Sequence, residues 1–258
     1  MSITFRVLRF PITIGLAFPA FLLILGYISQ FEGIELVIWV AFGTAAILLH
    51  ELGHAVVFRH YGLESSIRFW ALGGLAIPDD QVAAANLPDR QMLLVSLAGP
   101  AVGLVLGAAG LALGPVVAEQ SHGIRFAVGI WTFVNLGWGI FNLLPISGLD
   151  GGHVITELTM VALGERGRAV ALAASIVSSA LVAVLAVAIG YPYVALIAVM
   201  FGLANPYQYR ALIDELFPAR AERRRQQAAE KRRQHPFYLA EEVPASSLLN
   251  DDQEPPLR

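Results

Sequence analysis

Residues 46–58 read AILLHELGHAVVF, and they set His50, Glu51 and His54 in a run that otherwise prefers lipid. An ionisable side chain inside a membrane helix costs roughly 3 kcal/mol or more, so such groups face the protein interior and carry a function. Four residues bring a helix back to within about 40° of the same face. His50 and His54 can therefore reach one ion. Glu51, rotated away by one residue, reaches a water beside that ion instead. This is the mechanical content of the pattern H-E-x-x-H, a zinc site with an adjacent general base. The alternative is two core histidines bonded to carbonyls beside a protonated Glu51. It has to account for three polar groups buried together in lipid, and Gly53 among them permits close helix approach.

The flanks decide that the run lies in lipid. Of 258 residues, 56% are hydrophobic and 14% charged, and the mean hydropathy is +0.63. A soluble domain would carry about 25% charged residues. Apolar runs fall at 11–30, 35–58, 92–114, 125–145, 169–190 and 191–209, each close to the ~20 residues that cross a bilayer as a helix. The first lacks a clean small-x-small cleavage site, so it reads as a retained membrane helix rather than a signal peptide.

Six spans put Arg6, Arg9, Arg59, Arg68, Arg90, Arg166, Arg168 and Arg210 on one face, and Glu32, Glu35 and Glu119 with only Arg125 on the other. The positive-inside rule makes the first face cytoplasmic, whereas five spans would export the Arg-rich tail. The expectation is an all-α polytopic membrane protein of about six transmembrane helices with a short re-entrant β-hairpin, in the cell membrane of a prokaryote, with both termini cytoplasmic. Residues 1–210 form the membrane domain and 211–258 a cytoplasmic tail. Within that tail the basic stretch 219–233 is helix-compatible, and 241–258 is acidic, Pro-rich and reads as disordered. The basic stretch suits a solvated helix or contact with anionic lipid headgroups, and no nucleic-acid motif accompanies it. With no cysteine in the chain, disulfides and thiolate metal sites are excluded.

A zinc ion that keeps one position open needs a third protein ligand. The stretch 142–152, NLLPISGLDGG, supplies a candidate. Pro145 cannot donate to a helix ladder, and Gly148, Gly151 and Gly152 permit backbone conformations that other residues avoid. The helix is expected to break here, and broken backbone at membrane depth must be packed in protein or line a wet cavity. Asp150 at the break is the natural third ligand, although "LDGG" alone would read as an ordinary turn. Asn142 suits either a hydrogen bond to substrate or a cap on the broken helix. His153 reads as structural, since four protein ligands would close the site. The segment 67–78, IRFWALGGLAIP, reads as two short strands around Gly73-Gly74, a hairpin signal. Its edge could pair with an extended substrate; the other reading is a re-entrant loop that plugs the bundle.

At these residues the chain resembles the site-2 proteases, intramembrane zinc metalloproteases. His50-Glu51-Leu52-Gly53-His54 matches that family's first motif and Asn142 through Gly152 its second, in the same order. Gly73-Gly74 and Ser96-Leu97-Ala98-Gly99-Pro100 agree as well. The resemblance covers roughly residues 5–210. It implies one zinc held by His50, His54 and Asp150, with Glu51 as catalytic base, and a transmembrane protein or peptide as substrate. It also favours strand pairing at the Gly73-Gly74 hairpin. Many relatives carry PDZ or CBS domains; residues 115–124 and the tail are too short for either, so the chain is expected to be a minimal form. A ZIP-like metal transporter is the rival reading. It should show several polar spans and more than one metal site.

Overall fold

The computed structural model describes residues 2–164, 166–190 and 192–202. The end of the sixth expected span and the whole 211–258 tail lie outside the described residues.

The chain opens in strands. Strands β1 (Ser2–Val7) and β2 (Phe10–Gly15) pair antiparallel, with Phe5 opposite Ile12 and Thr4 opposite Thr13. The expected first span, 11–30, is thereby divided. Only α1 (Ala17–Ile28), 12 residues, is helical, and its length of about 18 Å falls short of the ~30 Å hydrocarbon core. The physical reason is the β-branched alternation Ile12-Thr13-Ile14, a period of two that a count of apolar residues does not register.

Helix α2 (Ile34–His60) carries the first motif. A hairpin of β3 (Ser65–Trp70) and β4 (Gly73–Pro78) follows, then α3 (Gln81–Ala85), α4 (Asp89–Leu113), α5 (His122–Asn142), α6 (Asp150–Leu163), α7 (Arg166–Ala188) and α8 (Pro192–Gly202). Helices α2, α4, α5 and α7 are long and apolar enough to cross a membrane. Among the described residues, four of the six expected spans stand as helices of crossing length; α1 is shorter, and the sixth expected span runs past the last described residue. The architecture is mostly helical with one four-stranded sheet, ordered β1-β2-β3-β4, in which β2 runs parallel to β3. The expected hairpin is present, but its turn is Ala71-Leu72. Trp70 pairs with Gly73, so Gly73 and Gly74 open β4 instead of forming the turn.

One face of the sheet is the core. Phe10, Ile12, Ile67 and Phe69 pack with Phe18 and Leu22 of α1 and with Ile47, Leu52 and Ala55 of α2. Arg59, near the end of α2, donates to Leu8 O at 3.0 Å and lies 3.7 Å over the Phe10 ring. These contacts hold the sheet against α2 and bring β4 beside Glu51.

The helices invert the soluble pattern. Val105, Phe133, Val177 and Val184 are each about two-thirds exposed, whereas α4 buries Gly99, Gly103, Gly107 and Gly110. A Cβ on Gly103 would stand 3.0 Å from Asn135 O of α5, and one on Gly107 3.0 Å from Leu136 N. Missing side chains, rather than apolar burial, let these backbones approach, as membrane helices require. On α2, a Cβ on Gly53 would stand 2.8 Å from Ala98 O of α4. Backbone cannot swing aside, so Gly53→Ala is expected to destabilise the α2–α4 contact by about 1–3 kcal/mol. Thermal unfolding in detergent would read this as a lowered Tm.

Candidate metal centre and active site

The three polar residues of α2 are buried: His50 is 2% exposed, Glu51 5% and His54 7%. Asp150 reaches them from the start of α6. Helix α5 ends at Asn142, and the chain turns through a fully buried Ile146. Ser147 N donates to Ser175 Oγ of α7 at 2.8 Å, and α6 begins at Asp150. The expected break is there, but its glycines serve another purpose. Neither Gly151 nor Gly152 has a positive φ. A Cβ on Gly151 would run into the Leu143 and Leu144 backbone, and one on Gly152 into Ile146. They are glycine so that the first turn of α6 can lie directly on the preceding chain.

The result is a triangle of donor atoms. His50 Nε2 lies 3.0 Å from Asp150 Oδ2, His54 Nε2 lies 3.3 Å from the same oxygen, and the two Nε2 atoms are 3.2 Å apart. Ligand atoms on a tetrahedron with zinc bonds of about 2.0–2.1 Å stand about 3.4 Å apart, so the triangle has the size that ion needs. The tautomer fits too. His54 Nδ1 is 2.7 Å from Val95 O, and a carbonyl only accepts, so Nδ1 holds the proton and Nε2 presents a lone pair. His50 Nδ1 is buried and without a partner among the described residues. His50, His54 and Asp150 thus form a group able to hold a metal ion.

Glu51 stands outside that triangle. Its Oε2 accepts from Ala76 N of β4 at 2.9 Å, and a Cβ on Gly74 would come within 2.6 Å of Glu51 Cγ. Gly73 lies against Trp138, where a Cβ would stand 3.2 Å from the indole ring. A side chain at Gly74 would collide with Glu51, and one at Gly73 would press on Trp138. A cavity of about 850 Å³ opens here, lined by the triangle, Glu51, the start of β4, Trp138, Asn142 and His153. Asn142 Nδ2 donates to Trp138 O within its own helix at 3.0 Å. His153 borders the cavity without joining the triangle.

Several contributors were not foreseen. Gly99 packs its Cα against both imidazoles, with His50 Nε2 2.7 Å from where its Cβ would be. Val95 O orients His54, Ala76 N holds Glu51, and Trp138 carries a buried indole Nε1 with no partner among the described residues. The stretch 96–100 was the available signal for Gly99. The two main-chain groups have no side-chain signature at all.

Parts of the chain are similar to known metalloproteases. Residues 113–188 match the family model for Peptidase family M50; the match takes in the Asp150 stretch and leaves the His50–His54 stretch outside it. The chain is 32% identical over 133 residues to a putative zinc metalloprotease of Synechocystis sp., covering 51% of this chain and 34% of that one. It is 35% identical over 128 residues to the putative zinc metalloprotease Rip3 of Mycobacterium tuberculosis, covering 48% and 32%. A zinc metalloprotease of Methanocaldococcus jannaschii is 27% identical over 156 residues, covering 60% and 44%. The chain thus spans about a third of the length of the first curated relatives it matches. In fold it is similar to the site-2 protease from Methanocaldococcus jannaschii, with a TM-score of 0.59 and 22% identity, covering 81% of this chain and 95% of that chain.

Proposed function

We propose that this chain belongs to the site-2 protease family, Peptidase family M50, whose model matches residues 113–188, and that it is an intramembrane zinc metalloprotease. It hydrolyses peptide bonds in or near the transmembrane segments of membrane proteins. The observation that carries this reading is the His50–His54–Asp150 triangle beside a buried carboxylate on a helix of membrane-crossing length. His50, His54 and Asp150 would hold one zinc. When bound, the ion supplies Lewis-acid activation of a water and of the scissile carbonyl.

The chain's own residues do the rest. Glu51 is the general base: its carboxylate takes the proton of the attacking water and returns it to the leaving amine. Val95 O keeps the His54 proton on Nδ1, so Nε2 stays a ligand. The β4 edge beginning at Gly73 and Gly74 receives the substrate as an extended strand, because a helix keeps its carbonyls in i→i−4 bonds and shields them from attack. Asn142 borders the substrate path. The protease domain is residues 1–210, and 211–258 is a cytoplasmic tail whose basic stretch contacts anionic headgroups. Both termini lie in the cytoplasm of a prokaryotic cell. A ZIP-like metal carrier is not favoured, since the relatives are named metalloproteases.

The test is Glu51→Gln in the full-length, zinc-loaded protein. The variant is expected to keep one zinc per chain and to lose about a hundred- to ten-thousand-fold in kcat on a transmembrane test substrate. Cleavage at the wild-type rate would remove Glu51 from the base role. Zinc flux in liposomes without proteolysis would support the carrier instead.

A further inference from the structure

Parity along β4 decides what its free edge can offer. Asp79 N donates to Glu64 O at 2.8 Å, continuing the side on which Gly73 and Leu75 face Trp70 and Arg68. Backbone groups alternate from side to side along a strand. The odd-numbered residues of β4 therefore face β3, and Gly74, Ala76 and Pro78 face outward. Because β4 ends the sheet, that outward side is an edge, and it opens on the cavity. Proline has no N–H, so only Gly74 and Ala76 can donate to an added strand.

One of those two donors is already engaged. Ala76 N donates to Glu51 Oε2 at 2.9 Å. The carboxylate also lies against the strand, because a Cβ on Gly74 would stand 3.1 Å from Glu51 Cδ and 3.2 Å from Oε1. Glu51 therefore occupies the place where the first rungs of an added strand would form.

We infer that Glu51 caps the β4 edge in the resting chain, and that an extended peptide pairing with β4 takes over the Ala76 N–H and releases the carboxylate toward the His50–His54–Asp150 triangle. This rests on the protease reading above and deepens it by coupling the freeing of the base to the shape of the substrate. A hydrogen bond to a carboxylate is stronger than one to a neutral carbonyl, so a single rung does not displace Glu51. The peptide must bond at Gly74 as well. A segment still wound as a helix has its carbonyls engaged and leaves the base capped. The device selects unwound backbone over helix before any bond is cut.

The test reads the Ala76 amide by NMR in the metal-free, full-length, nitrogen-15-labelled chain in bicelles. Without peptide, Glu51→Ala is expected to speed Ala76 amide exchange by about tenfold or more, the loss of one hydrogen bond of ordinary strength. A short peptide of alternating Val and Thr should restore protection in that variant and shift the Ala76 amide resonance in the wild type; its binding is followed by fluorescence anisotropy. Failure of the peptide to bind, or saturation with no change at the Ala76 amide, overturns the inference. A second arm uses the zinc-loaded protein. Ala76→Pro removes the outward N–H at an edge position where proline is tolerated, and Ala76→Val keeps it. Turnover of a blocked tripeptide too short to pair should be about tenfold higher with the proline, whose base is uncapped. Equal turnover in the two variants overturns the inference. Wild-type protein that cleaves neither the tripeptide nor a transmembrane substrate refutes the protease reading, while the amide measurement judges the capping on its own.

Discussion

Asp150→Ala is expected to empty the metal site. The two histidines share one face of α2, and Asp150 Oδ2 is the atom that closes the triangle at 3.0 Å from one Nε2 and 3.3 Å from the other. Loss of a group that merely orients a ligand costs roughly 10–100-fold in metal affinity, so loss of a proposed ligand should exceed about 100-fold. Zinc content of the purified variant, by elemental analysis, should fall well below one per chain, and proteolysis should vanish with it. Asp150→Asn keeps the shape and removes the charge, and it should fall in between. Full zinc occupancy in Asp150→Ala would strike Asp150 from the ligand set.

Gly99→Ala should have nearly as large an effect, although Gly99 carries no chemistry. Its added Cβ would stand 2.7 Å from His50 Nε2 and closer still to His54 Nε2. The rings cannot simply yield: His54 is held through Nδ1 by Val95 O, and both imidazoles are buried. One methyl group would therefore occupy the space that the ion and its ligand atoms need. We expect zinc affinity to fall by more than about 100-fold, the loss expected when ligand atoms themselves are displaced. Helix content should be unchanged, because alanine is the better helix former. Gly123→Ala on α5 is the matched control, with nothing within 4 Å of its Cβ, and it should bind zinc as the wild type does. Normal zinc binding by Gly99→Ala would mean that the rings have room that the geometry denies them.

What the sequence revealed and what it hid divide along a physical line. His50, Glu51, His54 and Asp150 were legible because helical spacing and the cost of charge in lipid leave few reasons for such residues to be there. The break after Asn142 was legible from Pro145 and the glycines that follow. The β1–β2 hairpin was not: Phe10–Gly15 is apolar enough to count toward a span, and only its period of two, set by Ile12 and Ile14, betrays a strand. Glycines were misread in a consistent direction. Gly73, Gly74, Gly151 and Gly152 suggested turns or special backbone angles, yet none has a positive φ. A side chain would crowd Trp138 at Gly73 and strike Glu51 or the backbone before α6 at the other three. Room of that kind depends on the neighbour across the gap, which no local pattern encodes. The same holds for Val95 O, a carbonyl that any residue carries, and for Ala76 N, a donor that any residue but proline could supply.

Pro78 has a consequence for the life of the protein in a crowded bilayer. A sheet ending in a long, fully bonded free strand is a template on which further copies can stack, and natural proteins shorten or blunt such borders. Here the outward side of β4 has two N–H groups and then a proline, and a carboxylate sits on the second. A guest strand can be held for as long as a reaction takes, but the border is too brief and too charged to seed a growing stack of identical chains.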